Sequence, residues 1–211
     1  AGLAHDNVVR VLHNALVDLD LRDPPRTMSF LAVELEFLPG GSLEDRIRRK
    51  GYKDSQALRW MLEIARGIAY LHSRKPRTLH RDLKPMNVCL SATGIAKLID
   101  FGASVELFTR TSGAASSFAT EIGTPWYMSP ERRIPERPTY TTPDDVWAMG
   151  LVFLQLWTRR TNSEISELEP AVDMEDVNDF VEAVREGSDE LDVRANAGLA
   201  ALIASMLSRE A

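Results

Sequence analysis

Two stretches hold the side chains best suited to chemistry. The first is His80-Arg81-Asp82-Leu83-Lys84-Pro85-Met86-Asn87, and the second, a hairpin's length downstream, is Asp100-Phe101-Gly102. An aspartate held in a loop, such as Asp82, can accept a hydrogen bond from a hydroxyl whose oxygen is attacking. Asn87 and Asp100 offer hard oxygen atoms of the kind Mg²⁺ prefers. Lys84 can set a positive charge against a moving phosphoryl group. Together these supply what phosphoryl transfer asks of a protein: positioning, charge neutralisation and a group to receive a proton. A lone Asp or Asn in a loop is ordinarily a turn residue or a cap. The set is informative because its members occur together and in order.

The flanking elements must bring these residues together. A helix from Asp54, with Leu58, Met61, Leu62, Ala65, Ile68, Ala69 and Leu71 near 3.6-residue spacing, would deliver the chain to His80. Asn87–Leu90 and Ala96–Ile99 read as short strands joined by a turn over 91–94, a hairpin that would set Asn87 beside Asp100. Upstream, 8–12, 15–19 and a buried strand over 30–35 follow one another, with a turn at Arg22–Arg26 where prolines remove donors. Ser42-Leu43-Glu44-Asp45 has capping-box spacing, so a short helix starts there and ends at Gly51. Residues 103–124 show no period and read as a long loop. Thr142-Pro143-Asp144-Asp145 opens a helix, apolar nearly all round, that should be the core helix. Further helices are expected over 173–187 and 199–207. Strands first and helices after imply an α+β chain.

The first stretch fits the pattern H-R-D-L-x-x-x-N and the second D-F-G, and in this order they resemble the protein kinase family. That resemblance implies a partial β-rich N-lobe over residues 1–35, a hinge over 36–41 and a mostly helical C-lobe over 42–211. It assigns Asp82, Lys84, Asn87, Asp100 and Thr124 to catalysis, with Asn87 and Asp100 as Mg²⁺ ligands. Lys84 goes with Ser/Thr rather than tyrosine substrates. Leu35-Glu36-Phe37-Leu38-Pro39-Gly40-Gly41-Ser42-Leu43 resembles the kinase hinge. There Leu35 would be the gatekeeper, the backbone of Glu36 and Leu38 would bond the adenine edge of ATP, Ser42 would lie near the ribose, and Leu43 and Cys89 would floor the pocket. Gly123-Thr124-Pro125-Trp126-Tyr127-Met128-Ser129-Pro130-Glu131 resembles the end of an activation segment, where peptide substrates dock, with Ser129 standing where the family most often has Ala. Asp145 would bind the catalytic-loop backbone and hold His80-Arg81, besides a possible capping duty. Among Thr109, Thr111, Ser112, Ser116, Ser117 and Thr120, Thr120 matches the family's phosphosite by its distance from Gly123; a phosphate there, added by an upstream activating kinase, could pair with Arg81 and order the loop.

Composition sets limits around this reading. The 211 residues allow one domain or two small lobes, and 44% hydrophobic with 27% charged residues argues against disorder. A net charge of −6 argues against a nucleic-acid partner. The single cysteine, Cys89, excludes an intrachain disulfide and suits a reducing, cytoplasmic compartment. The longest apolar run, Trp147–Trp157 broken by Gln155, is too short for a bilayer, which needs ~20 residues. The acidic span Glu164–Asp192 reads as a solvated helix face.

Two of the family's parts are not found in the sequence: no G-x-G-x-x-G loop occurs, and no V-A-I-K-like lysine precedes His5. The expectation is a kinase domain cut at both ends, with negligible activity as a piece and a tendency to aggregate through an unpaired strand edge. A pseudokinase or binding scaffold is the alternative, and intact Asp82, Lys84, Asn87 and Asp100 argue against it. A small-molecule kinase is disfavoured because the segment from Gly123 to Glu131 would have no obvious role.

Overall fold

The first described element is a long antiparallel hairpin. In the computed structural model, which describes residues 3–22, 25–100, 105–107, 124–133, 140–168 and 197–207, β1 (Val11–Arg22) pairs with β2 (Pro25–Leu35) from Val11↔Leu35 to Arg22↔Pro25. The two short strands expected over 8–19 are therefore one strand, with an irregularity between Val11 and His13. The buried strand expected over 30–35 is instead exposed at Phe30, Val33 and Leu35, and across the hairpin Leu16 is 78% exposed. The reason is the two-stranded sheet itself, in which, among the described residues, β1 and β2 have only each other as hydrogen-bonded strand neighbours.

Past Glu36 the chain enters a helical body. Helix α1 (Leu43–Arg49) opens on the capping box read from sequence: Ser42 Oγ accepts from the Asp45 N–H at 3.2 Å, and Asp45 Oδ2 accepts from the Ser42 N–H at 3.2 Å. It ends one residue earlier than expected, because Lys50 rather than Gly51 takes the left-handed conformation, at φ 52°. Helix α2 (Asp54–Ser73) buries Ala57, Trp60, Met61, Ile64, Ile68 and Leu71. The expected stripe is partly displaced, since Leu58, Leu62 and Ala69 face outward. Its packing partners explain the shift. Trp60 donates its indole N–H to Gly94 O at 3.0 Å, and a Cβ on Gly67 would lie 2.8 Å from Leu98 Cδ1.

Strand β3 (Arg77–Leu79) leads to the loop from His80 to Asn87, and β4 (Val88–Leu90) with β5 (Ala96–Leu98) forms the expected hairpin. The amino-terminal segment lies along β5: Val9 N–H donates to Leu98 O at 2.9 Å, and Leu98 N–H donates to Asn7 O at 2.9 Å. Residues 103–124 are not wholly loop, because β6 (Val105–Leu107) pairs antiparallel with β3. Helix α3 (Thr142–Thr158) is the central one, buried from Leu151 to Thr158. Helix α4 (Asn162–Leu168), overlapping the start of the acidic span, was not expected as a separate element. Helix α5 (Ala197–Met206) is the expected last helix, starting two residues early, and it packs Ile203 and Leu207 into the core with α3. The helix expected over 173–187 lies outside the described residues. Among the described residues no helix is long and apolar enough to cross a membrane.

Candidate active site

The loop from His80 to Asn87 is held by α3 from behind. Thr141 caps α3, its N–H and Oγ1 donating to Asp144 Oδ2 at 2.7 and 2.9 Å, so Asp144 and not Asp145 does the capping. Asp145 is thereby free for the interior. Its Oδ2 accepts from the His80 N–H at 3.0 Å and lies 2.7 Å from His72 Nε2, and its Oδ1 accepts from the Arg81 N–H at 3.0 Å and from the Tyr140 hydroxyl at 2.8 Å. Burial alone would raise the Asp145 carboxyl, but His72 and the two backbone donors outweigh it and hold the group below its usual value. This grip sustains a costly backbone: Arg81 sits at φ 71°, a conformation rare for a side chain of its size.

Asp82 is the hub of the site. Its Oδ1 accepts from the Thr124 N–H at 3.1 Å and the Thr124 hydroxyl at 3.0 Å, and its Oδ2 accepts from Lys84 Nζ at 2.7 Å and Asn87 Nδ2 at 2.9 Å. Lys84 Nζ also donates to Thr124 Oγ1 at 2.8 Å, and Asn87 Nδ2 to the Asp82 carbonyl at 2.8 Å. The short 3₁₀ turn Pro85–Asn87 makes this possible, since its Asn87 N–H closes onto Lys84 O at 2.9 Å and turns the amide back toward Asp82. With Nδ2 committed to Asp82, the amide oxygen of Asn87 is the atom left to meet a cation. Asp100 follows Ile99, whose N–H donates to Asn87 O at 2.9 Å, so the backbone sets Asp100 one residue past the partner of Asn87. Asp100 adopts φ 61° and its side chain is exposed.

Beside Asp100 lies a cleft of about 520 Å³, lined by Leu35, Glu36, Leu38, Cys89 and Ile99 as well as Asp100. Four of the six expected nucleotide contacts therefore share one cavity with a candidate metal ligand. Ser42 and Leu43 lie outside that lining: the Ser42 hydroxyl donates to Asp45 Oδ2 at 2.7 Å within the cap, and Leu43 is fully buried in the core. Glu36 is pinned by Lys97 Nζ at 2.6 Å and by the Arg10 N–H at 2.8 Å; burial would raise its carboxyl, yet these donors hold it lower. Burial pushes the Cys89 thiol up. Two residues past Leu38, the Gly40 N–H donates to Leu90 O at 2.9 Å and ties this segment to β4 beside Cys89. The cleft has apolar walls, a backbone edge and a carboxylate at its mouth, which fits a purine nucleotide with a hard cation.

Arg81 is nearly buried, with its guanidinium 5.8 Å from the Tyr140 ring centroid, and Arg132 stands at 5.6 Å from the same ring. Thr120 lies outside the described residues, as does Phe101. Sequence reasoning missed His72, Tyr140 and Lys97. Only Lys97 left a signal, as the polar residue alternating with buried Ala96 and Leu98 on β5.

Comparison with known proteins gives the family. The family model described as "Protein kinase domain" matches residues 1–211, and the chain belongs to that family. It is 33% identical over 169 residues to mitogen-activated protein kinase kinase kinase A of Dictyostelium discoideum, covering 79% of this chain and 16% of that protein. It is 39% identical over 129 residues to mitogen-activated protein kinase kinase 1 of Arabidopsis thaliana, covering 61% of this chain and 34% of the relative. Human serine/threonine-protein kinase Nek5 is 36% identical over 146 residues, 67% of this chain and 20% of its own length. The chain thus spans about a third or less of the length of these relatives.

Proposed function

We propose that this chain is the catalytic portion of an ATP-dependent protein kinase that phosphorylates serine or threonine in other proteins. The observation that supports it is the network around Asp82, with Thr124 on one carboxylate oxygen and Lys84 and Asn87 on the other. Bound ATP with Mg²⁺ would supply the transferable phosphoryl group and neutralise its charge. Asp82 Oδ1 accepts the hydrogen bond, and then the proton, of the acceptor hydroxyl. Lys84 keeps a positive charge beside the same point. Asn87 and Asp100 hold the cation, and Leu35, Glu36, Leu38 and Cys89 hold the adenine end, with Ser42 near the ribose.

In this reading residues 1–35 are the β-rich lobe, 36–41 the hinge and 42–211 the helical lobe, the enzyme works in the cytoplasm, and an upstream kinase modifies Thr120, whose phosphate Arg81 receives. The names of the relatives, kinases of mitogen-activated cascades among them, support a protein substrate. The complete protein, given γ-labelled ATP, Mg²⁺ and a general protein substrate such as casein, is expected to label serine or threonine. Label on tyrosine alone, or none, contradicts the proposal.

A further inference from the structure

One buried contact in the site serves neither the nucleotide nor Asp82. We propose that Ser129 is a positioning residue that fixes the peptide-docking segment against α3 through Asp144. The inference rests on the protein-kinase reading above and adds to it a determinant of protein-substrate binding.

The Ser129 hydroxyl donates to Asp144 Oδ1 at 2.5 Å, and both residues are buried, at 3% and 6% exposure. A hydroxyl-to-carboxylate bond is charge-assisted, and away from water it is not diluted by competing partners. Asp144 cannot swing with its partner, because its other oxygen is fixed by the N–H and hydroxyl of Thr141 at the helix cap. The next residue, Asp145, grips the backbone of His80 and Arg81. One turn of α3 therefore carries two consecutive carboxylates with different duties. The first holds the rear of the docking segment and the second holds the loop that bears Asp82, so the offset between them is set by a single peptide unit.

The rest of the segment agrees with this division. Its front end, Thr124, bonds Asp82 directly, and in its middle the Tyr127 hydroxyl donates to the buried Gln155 Oε1 at 2.9 Å. A cavity of about 10 Å³ is lined by Arg81, Asp82, Thr124, Tyr127, Ser129 and Asp144, so both grips border one interior space. Without the Ser129 hydroxyl the rear anchor is lost, and Asp144 keeps a buried oxygen without its donor. Thr124 still ties the front of the segment to Asp82. The effect should therefore fall on the binding of a peptide chain.

The test is steady-state kinetics of the complete enzyme and its Ser129→Ala variant. Alanine removes one oxygen and adds no bulk, so the variant is expected to fold. The expected result is a KM for protein substrate raised about 10- to 150-fold, the size of one lost hydrogen bond to a charged group, with the KM for ATP and kcat within about twofold. In an Asp144→Asn background the same change should have little further effect on the protein KM, because the two act as one unit. An unchanged protein KM in active Ser129→Ala enzyme overturns this proposal and leaves the kinase reading standing. Equal losses in kcat and in both KM values, with a lowered melting temperature, overturn it in favour of a structural role. A wild-type enzyme that transfers no phosphate overturns both.

Discussion

His80 is fully buried inside the catalytic loop, and its ring nitrogens divide their work. Nδ1 accepts from the Asp82 N–H at 3.4 Å and Nε2 faces the Ile99 carbonyl at 3.1 Å, an arrangement of the neutral ring with its proton on Nε2. Burial lowers its pKa, against the pull of the Asp145 and Asp82 carboxylates. The folded value therefore lies below the unfolded one, which is ~6.5. As pH falls through about 6.5 the unfolded chain takes up a proton before the folded chain does, and stability falls with pH across that window. Thermal melting from about pH 8 to about pH 5.5 should show a falling melting temperature, with a shallower slope in His80→Gln; equal slopes would count against this account. At this scale the sequence was most readable where the chemistry is local. Asp82, Lys84 and Asn87 lie within one loop, and their spacing alone suggested a shared task. Tyr140 and His72, the side chains that bond Asp145 behind that loop, come from separate parts of the chain, and single residues at such separations carry no periodic signal.

Elements were legible by type more than by register. Thr141-Thr142-Pro143-Asp144 and Thr142-Pro143-Asp144-Asp145 both satisfy the capping pattern, and local sequence cannot choose between them. The choice falls to the interior, which claims Asp145 for four hydrogen bonds and leaves Asp144 to the cap. The burial of α2 was displaced for a similar reason, because Trp60 and Gly67 answer to Gly94 and Leu98 on the β4–β5 hairpin. Gly40 shows the same dependence on distant contact. Taken alone, Gly40-Gly41 reads as an ordinary loop, yet a Cβ on Gly40 would lie 2.5 Å from Leu90 Cβ and 2.7 Å from Leu90 O. Since the obstacle includes backbone, relief requires the loop to move away from β4. Gly40→Ala should destabilise the protein by about 1–3 kcal/mol and raise the KM for ATP. Denaturant unfolding with nucleotide kinetics checks this, and a variant unchanged in both would contradict the close approach.

Across the whole molecule, α3 is the part on which the site converges. Asp144, Asp145 and Gln155 reach Ser129, the His80–Arg81 backbone and Tyr127, while the apolar side chains of α3 join the core. Gln155, which interrupts the longest apolar run, is explained by Tyr127 and not by any membrane role. The pairing of β3 with β6 was invisible beforehand, because both strands are three residues long and lie far apart in the chain. The exposure of β2 was equally hidden, since an apolar run states a preference for burial without naming what covers it. What unites these scales is one claim, that Asp82 receives the proton of a protein hydroxyl. Asp82→Asn in the complete protein preserves the shape of the side chain and removes its basicity. Steady-state phosphate transfer by this variant should show kcat reduced by about 10²- to 10⁴-fold with the KM for ATP nearly unchanged. Transfer within tenfold of the wild-type rate would contradict the account.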